Sequence, residues 1–125
     1  MTDRYQSESL AVLRICTAAL FLLHGTSKLF AFPIAFVGGR VRLESLMGVA
    51  GCLELGGGLL VLAGLMTRPV ALLLAGEMAI AYFTAHATKG AWPIANGGEL
   101  AIMFCAAFLC IAGNGPGAWA LDTKR

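Results

Sequence analysis

Seven ionisable side chains lie inside or at the mouth of strongly apolar stretches: Arg14, His24 and Lys28 in the first, Glu54 in the second, Glu77 and His86 in the third, and Glu99 opening the fourth. Groups of this kind can donate, accept and relay protons. Each one costs about 3 kcal/mol or more at the centre of a bilayer, so each should turn away from lipid and find a partner. At about 100° per residue Arg14, His24 and Lys28 fall within an arc of about 80°, one face of a helix. That face is expected to point inward.

The elements that hold these groups follow from composition. The chain has 125 residues, 58% of them hydrophobic and 13% charged, with a mean hydropathy of +0.80. A water-soluble bundle of this size needs more polar side chains than that to cover its outside. Membrane helices need about 20 largely apolar residues, and four segments qualify or nearly do: about 9–32, 44–66, 69–88 and 96–113. Breaks separate them. Pro33, Gly38, Gly39, Arg40 and Arg42 lie in the first connection, Thr67-Arg68-Pro69 makes a tight turn, and Gly90 and Pro93 mark the third. The expected fold is all-α, a single four-helix transmembrane bundle running up-down-up-down through residues 1–125.

Net charge is only +2, which excludes the footprint of a nucleic-acid binder. Cys16, Cys52, Cys105 and Cys110 show no C-x-x-C pair and no metal-ligand spacing, and read as small buried hydrophobes. No metal site is expected. The polar start of the chain leads into an apolar run without an A-x-A cleavage site, so the first helix is expected to serve as its own uncleaved insertion signal. With four spans both termini share a side with the middle turn. That side carries Arg4, Arg68, Lys124 and Arg125 against Arg40, Arg42 and Lys89 opposite, which favours cytoplasmic termini. Trp92 and Trp119 fall where interfacial aromatics belong. Gly48, Cys52 and Gly56, at four-residue spacing, with Gly57, Gly58 and Gly64 following, predict a small-residue surface for close helix packing.

Depth sorts the ionisable groups. The first and third helices run in the same direction, which brings His24 and His86 to a similar level, with Lys28 and Glu99 in the same half of the membrane. The expectation is an outer cluster of His24, Lys28, His86 and Glu99, a carboxylate pair of Glu54 and Glu77 near the midplane, and Arg14 nearer the cytoplasm. His86 stands opposite Glu77 on an ideal helix, so both can face one axis only if that helix bends or unwinds. The competing structural reading is that Arg14, Lys28, Glu54 and Glu77 are mutually paired ions that fix helix register.

The run Arg14…Phe21…His24-Gly25-x-x-Lys28, then Glu54-Leu-Gly-Gly-Gly, Gly64-Leu-Met-Thr-Arg68, Ala81-Tyr-Phe-Thr-Ala-His86, Gly97-Gly98-Glu99-Leu, Gly115-Pro-Gly and Trp119-Ala-Leu-Asp122 resembles the DoxX family of small four-helix membrane proteins. The resemblance covers about residues 13–122. One departure is that Ala18 or Ala19 stands where the family has Gly between the first Arg and the His-Gly pair. The resemblance implies a multi-pass protein of the bacterial cytoplasmic membrane, of oxidoreductase type. Among such relatives are the small membrane subunits of thiosulfate:quinone oxidoreductase.

Three functions compete on these residues. In the leading one a quinone head group enters from lipid and meets proton donors His24 and Lys28, with Glu99 as relay and Arg14, Glu54, Glu77 and His86 as the surrounding polar cluster. No dinucleotide fingerprint, thiol pair or iron–sulfur spacing is present, so electrons are expected to come from a redox partner or a bound cofactor. A haem held between His24 and His86 is the weaker cofactor reading. The second function is a non-catalytic subunit that anchors a redox enzyme in the bilayer. The third is a small proton or solute conductor using Glu54 and Glu77.

Overall fold

The computed structural model describes residues 2–30, 32 and 46–122. The first connection, with Pro33, Gly38, Gly39, Arg40 and Arg42, lies outside them, as do Lys124 and Arg125. Among the described residues every regular element is helical: α1 (Thr2–Phe30), α2 (Leu46–Ala63), α3 (Thr67–Ala81), a π-helical turn at Tyr82–His86, a 3-10 turn at Ala87–Lys89, the short α4 (Pro93–Asn96) and α5 (Glu99–Asn114). Tyr5–Phe30 and the continuous helical run Thr67–Lys89 are long and apolar enough to cross a membrane, whereas Gly48–Ala63 and Glu99–Asn114 are shorter apolar helices.

The helices lie α1 against α2 and α3 against α5, and contacts show that neighbours run in opposite directions. Gly25 backs onto Glu54 and Leu55 while Gly58 meets Leu22, and Gly98 meets the Tyr82 ring while Gly115 meets Arg68. A β-carbon on Gly25 would sit 2.9 Å from the Leu55 nitrogen, so α1 and α2 approach almost backbone to backbone there. The small-residue face matches the expected one at Gly58 and departs from it elsewhere. Gly51 and Gly58 press on α1, whereas Gly56 faces open space and Cys52 is exposed.

Glycine also decides where α2 stops. Leu65 N–H donates to the Leu60 carbonyl and Gly64 N–H to that of Val61, a Schellman closure with Gly64 left-handed at φ 74°. The turn therefore falls at residues 64–66, earlier than the Thr67-Arg68-Pro69 expected, and Pro69 sits inside the first turn of α3, where its missing N–H costs nothing. The fourth expected segment is likewise divided. Gly97, at φ 78°, ends α4, and the Gly98 N–H donates to the Asn96 side-chain oxygen before α5 begins.

Phe21 stands edge-on to Phe104 and Phe108, with ring centroids 5.2 and 4.9 Å apart, over a core completed by Val61, Leu74, Met78 and Ile111. The outside reverses the usual order. Ile80 and Phe83 are 65% and 67% exposed, whereas Arg14 and Glu54 are 0% and 1% exposed. Water would penalise that distribution on both counts, but hydrocarbon rewards it. The cysteines obey the same inversion: Cys16, Cys52 and Cys110 are exposed rather than buried, because an outside as apolar as the core gives a thiol no reason to hide.

Candidate functional site: an ion cluster inside the bundle

Lys28 sits in the last turn of α1 on the face that meets α2. Its ammonium reaches both oxygens of Glu54 at 2.8 Å, and the pair is buried, with side chains 9% and 1% exposed. Glycine makes this contact geometrically possible: Gly51 lies against the Lys28 β-carbon and Gly25 against that of Glu54, so no intervening side chain holds the two helices apart. Glu77, from α3, brings its carboxyl within hydrogen-bonding reach of Glu54. Its Oε1 is buried and, among the described residues, has no hydrogen-bond partner. His24, one turn before Lys28, is exposed on the bundle face, stands edge-on to Phe104 at 5.5 Å between ring centroids, and lies close enough to feel the charges of Glu54 and Lys28. Three helices thus bring four proton-handling groups to one level.

The expected outer cluster does not form as a unit. Lys28 reaches inward to Glu54, because a long flexible amine gains more from a buried carboxylate than from an exposed one. Glu99, the first residue of α5, is exposed and makes no ion pair among the described residues. His86 belongs to a separate outer group: its Nδ1–H donates to the Asn96 carbonyl at 3.2 Å and its ring stacks on Tyr82. Asn96 is buried and donates to the Tyr82 hydroxyl at 3.1 Å and to the Gly90 carbonyl at 3.0 Å. The unwinding that would free His86 from its ideal position occurs at Tyr82–His86, where the helix widens to a π turn and Ala87 N–H reaches back to the Tyr82 carbonyl. The two histidines therefore keep different partners. Among the described residues no group of three His, Cys, Asp or Glu side chains is placed to hold a metal ion.

Among the described residues Arg14 finds no side-chain anion as its hydrogen-bond partner. Its guanidinium donates to the carbonyls of Pro116, of Ala118 at 2.9 Å and of Trp119 at 2.8 Å, all in the segment after α5, with Asp122 nearby. That segment is laced to the end of the bundle. Ala118 N–H donates to the Ser7 carbonyl, Leu121 N–H to that of Ala63 and Asp122 N–H to that of Gly64. The Asp122 carboxylate accepts the Met66 and Thr67 N–H groups at 2.8 and 3.0 Å, which caps α3 from a distance of 55 residues along the chain.

The family model described as DoxX matches residues 9–87. The chain belongs to the DoxX family. An uncharacterized protein of Haemophilus influenzae is 46% identical over 126 residues, covering 98% of this chain and 94% of the relative. The inner membrane protein YqjF of Escherichia coli is 32% identical over 124 residues, covering 89% and 87%. No solved structure matches significantly. Together with the inverted exterior, these findings make this DoxX protein an integral protein of the bacterial inner membrane.

The matched DoxX segment contains Arg14, His24, Lys28, Glu54, Glu77 and His86, and stops short of Glu99 and Asp122. Among the described residues, two clefts on the surface of this DoxX protein stand apart from the ion cluster. One, of about 670 Å³, lies beside Arg68, Asn114 and Gln6 at the tail end; the other, of about 330 Å³, is an apolar slot between α3 and α5 ending at Tyr82. The members of the cluster that reach its outside are His24, which is exposed, and Glu77, which is half-buried. Tyr82 and Asn96 were not singled out from the sequence. The available signal was Asn96 directly before Gly97-Gly98, an amide placed where two glycines leave backbone groups to satisfy.

Proposed function

We propose that this DoxX protein is a quinone-linked redox membrane subunit, in which the ion cluster manages protons while a partner protein supplies electrons. The observation that supports this reading is the Lys28–Glu54–Glu77 cluster, buried inside a bundle whose outside is apolar, with His24 as its exposed neighbour. A quinone becomes a hydroquinone by taking two electrons and two protons. Its head group needs hydrogen-bond donors at both carbonyl oxygens, and its isoprenoid tail needs hydrocarbon. An imidazole on the lipid face, backed by an ammonium and two carboxyls, meets the proton requirement. Tight burial of Lys28 against Glu54 casts Lys28 as the counter-charge and His24 as the group in contact with the head group. Glu99, at the open start of α5, is left as a peripheral relay.

The experiment is titration of the purified protein with a short-chain ubiquinone analogue, read by tryptophan fluorescence. Saturable binding in the wild type, weakened at least tenfold by His24→Ala and little changed by Glu99→Gln, is the expected result. Equal binding by wild type and His24→Ala removes the quinone from this face. No binding at all, together with co-purification of a soluble oxidoreductase, favours the anchoring subunit.

The arrangement of the chain ends supports a reading of orientation as well. The start of α1, the α2–α3 turn and the segment after α5 meet at one end, joined by the Ser7, Ala63 and Gly64 carbonyls, and Arg68 lies there too, donating to the Gly113 carbonyl at 2.8 Å. Lys89 is at the opposite end of the α3 run. The end bearing Arg68 faces the cytoplasm in this reading.

A further inference from the structure

We propose that Glu54 and Glu77 hold a single proton between them, so that the cluster with Lys28 is neutral and Glu77 is a carboxylic acid reachable from lipid. Geometry and charge balance carry the argument. The Lys28 ammonium engages both oxygens of Glu54 at 2.8 Å and can neutralise one carboxylate. Glu77 places a second carboxyl within hydrogen-bonding reach of the first, an approach that two ionised carboxylates oppose and that an O–H between them converts into a strong bond. Its Oε1 is buried with no partner among the described residues, an unfavourable place for an anion and a tolerable one for a neutral acid.

Among the described residues no second lysine or arginine is placed at this level. From α1 the groups that face this level are Lys28 and His24, and from α2 Glu54. α5 contributes Phe104 and has no charged residue between positions 100 and 114. Glu77 itself is half-buried, open on one side to the surroundings of the bundle. The pair is therefore a store for one exchangeable proton, with His24 as the surface group nearest to it. This goes beyond the quinone reading and stands independently of it, since it concerns proton occupancy in the resting protein.

Infrared spectroscopy of the protein in lipid at pH 7 tests it. The wild type is expected to show the C=O band of a protonated carboxyl. Both Glu54→Gln and Glu77→Gln should lose that band, because each leaves one carboxylate facing one ammonium. Lys28→Met should strengthen it, because two carboxyls then lack a cation. A wild type without the band, or a band unchanged in both glutamine variants, overturns the proposal whatever the quinone titration shows. Dicyclohexylcarbodiimide reports on access from lipid. The acid adds across the carbodiimide, its oxygen bonding the central carbon and its proton passing to nitrogen, and an oxygen-to-nitrogen shift leaves a stable N-acylurea with no leaving group. Modification at Glu77, absent in Glu77→Gln, is the expected result, and modification confined to exposed Glu99 counts against it.

Discussion

Two buried cations on one helix are satisfied in opposite ways. Arg14, near the start of α1, spends its hydrogen bonds on three backbone carbonyls of the segment after α5. Lys28, fourteen positions on, meets a carboxylate that is itself crowded by a second carboxyl. Carbonyls are fixed acceptors that exchange no protons, so the Arg14 end is a fastening. Carboxyls can change their charge, so the Lys28 level can respond to ligands, redox partners and proton supply. A planar guanidinium suits the first task because it can serve several carbonyls at once, and a compact ammonium suits the second.

The comparison is broken most directly by removing each cation in turn. Arg14→Met should cost the most, about 4 kcal/mol, since it strands three carbonyls that are tied to a charged donor. Thermal unfolding in detergent measures it, and limited proteolysis of residues 115–122 should accelerate in parallel. A melting temperature within a degree or two of wild type would mean that the fastening is held by the backbone bonds to Ser7, Ala63 and Gly64 alone.

Lys28→Met should cost about 3 kcal/mol, the order seen when one member of a buried ion pair is deleted. The two sites part company on rescue. Adding Glu54→Gln to Lys28→Met should recover most of the loss, because the double variant leaves no unpaired buried charge, and the coupling is read from a double-mutant cycle. Adding Asp122→Asn to Arg14→Met should recover nothing, because the stranded partners there are carbonyls. Rescue at both sites, or at neither, would erase the distinction.

Much of this was legible in the sequence, and the gaps have physical causes. Hydropathy located the helical segments because hydrocarbon demands about 20 apolar residues whatever the fold, and the cost of charge in lipid singled out Arg14, Lys28, Glu54 and Glu77. Pairing was legible in part: the competing reading of mutually paired ions holds for Lys28 and Glu54 and not for Arg14. Depth along an ideal helix grouped Lys28 with His86 and Glu99, but a lysine side chain is long enough to cross a helix turn, and its partner was chosen by the glycines that let α1 and α2 touch. Arg14 was read as the partner of a carboxylate because side chains are visible in a sequence, whereas the carbonyls of residues 116, 118 and 119 become acceptors only once the chain doubles back. The glycine stripe was legible in part. Gly58 packs on α1 as expected, whereas four-residue spacing also picked Gly56, which faces open space, and passed over Gly51, seven residues before Gly58.

Gly64 joins the fastening to the turn it secures. A β-carbon there would overlap that of Ala120, and its φ of 74° is left-handed, so Gly64→Ala should cost about 2 kcal/mol through strain and overlap together. Ala120→Gly removes the overlap and leaves the strain, so the double variant should regain about half of the loss in the same melting assay. Full recovery would show that the backbone conformation was never the constraint.

The smallest effect belongs to Asp122, whose contribution isolates what a remote cap adds. Its two oxygens accept the Met66 and Thr67 N–H groups at 2.8 and 3.0 Å, donors that α3 cannot satisfy internally because no earlier turn of that helix exists. Met66, left-handed at φ 52°, has no side-chain oxygen with which to cap its own helix, so the carboxylate must come from elsewhere. Asp122→Asn keeps an acceptor and loses the charge that favours a helix N-terminus, and should cost about 0.5 kcal/mol. Asp122→Ala loses both and should cost about 1 kcal/mol. If the alanine variant falls as far as Arg14→Met, the carboxylate is acting on the guanidinium rather than on α3. The Arg14 end would then be an ion-pair site like that of Lys28, and the contrast between the two cations would shrink to a difference in which helix supplies the anion.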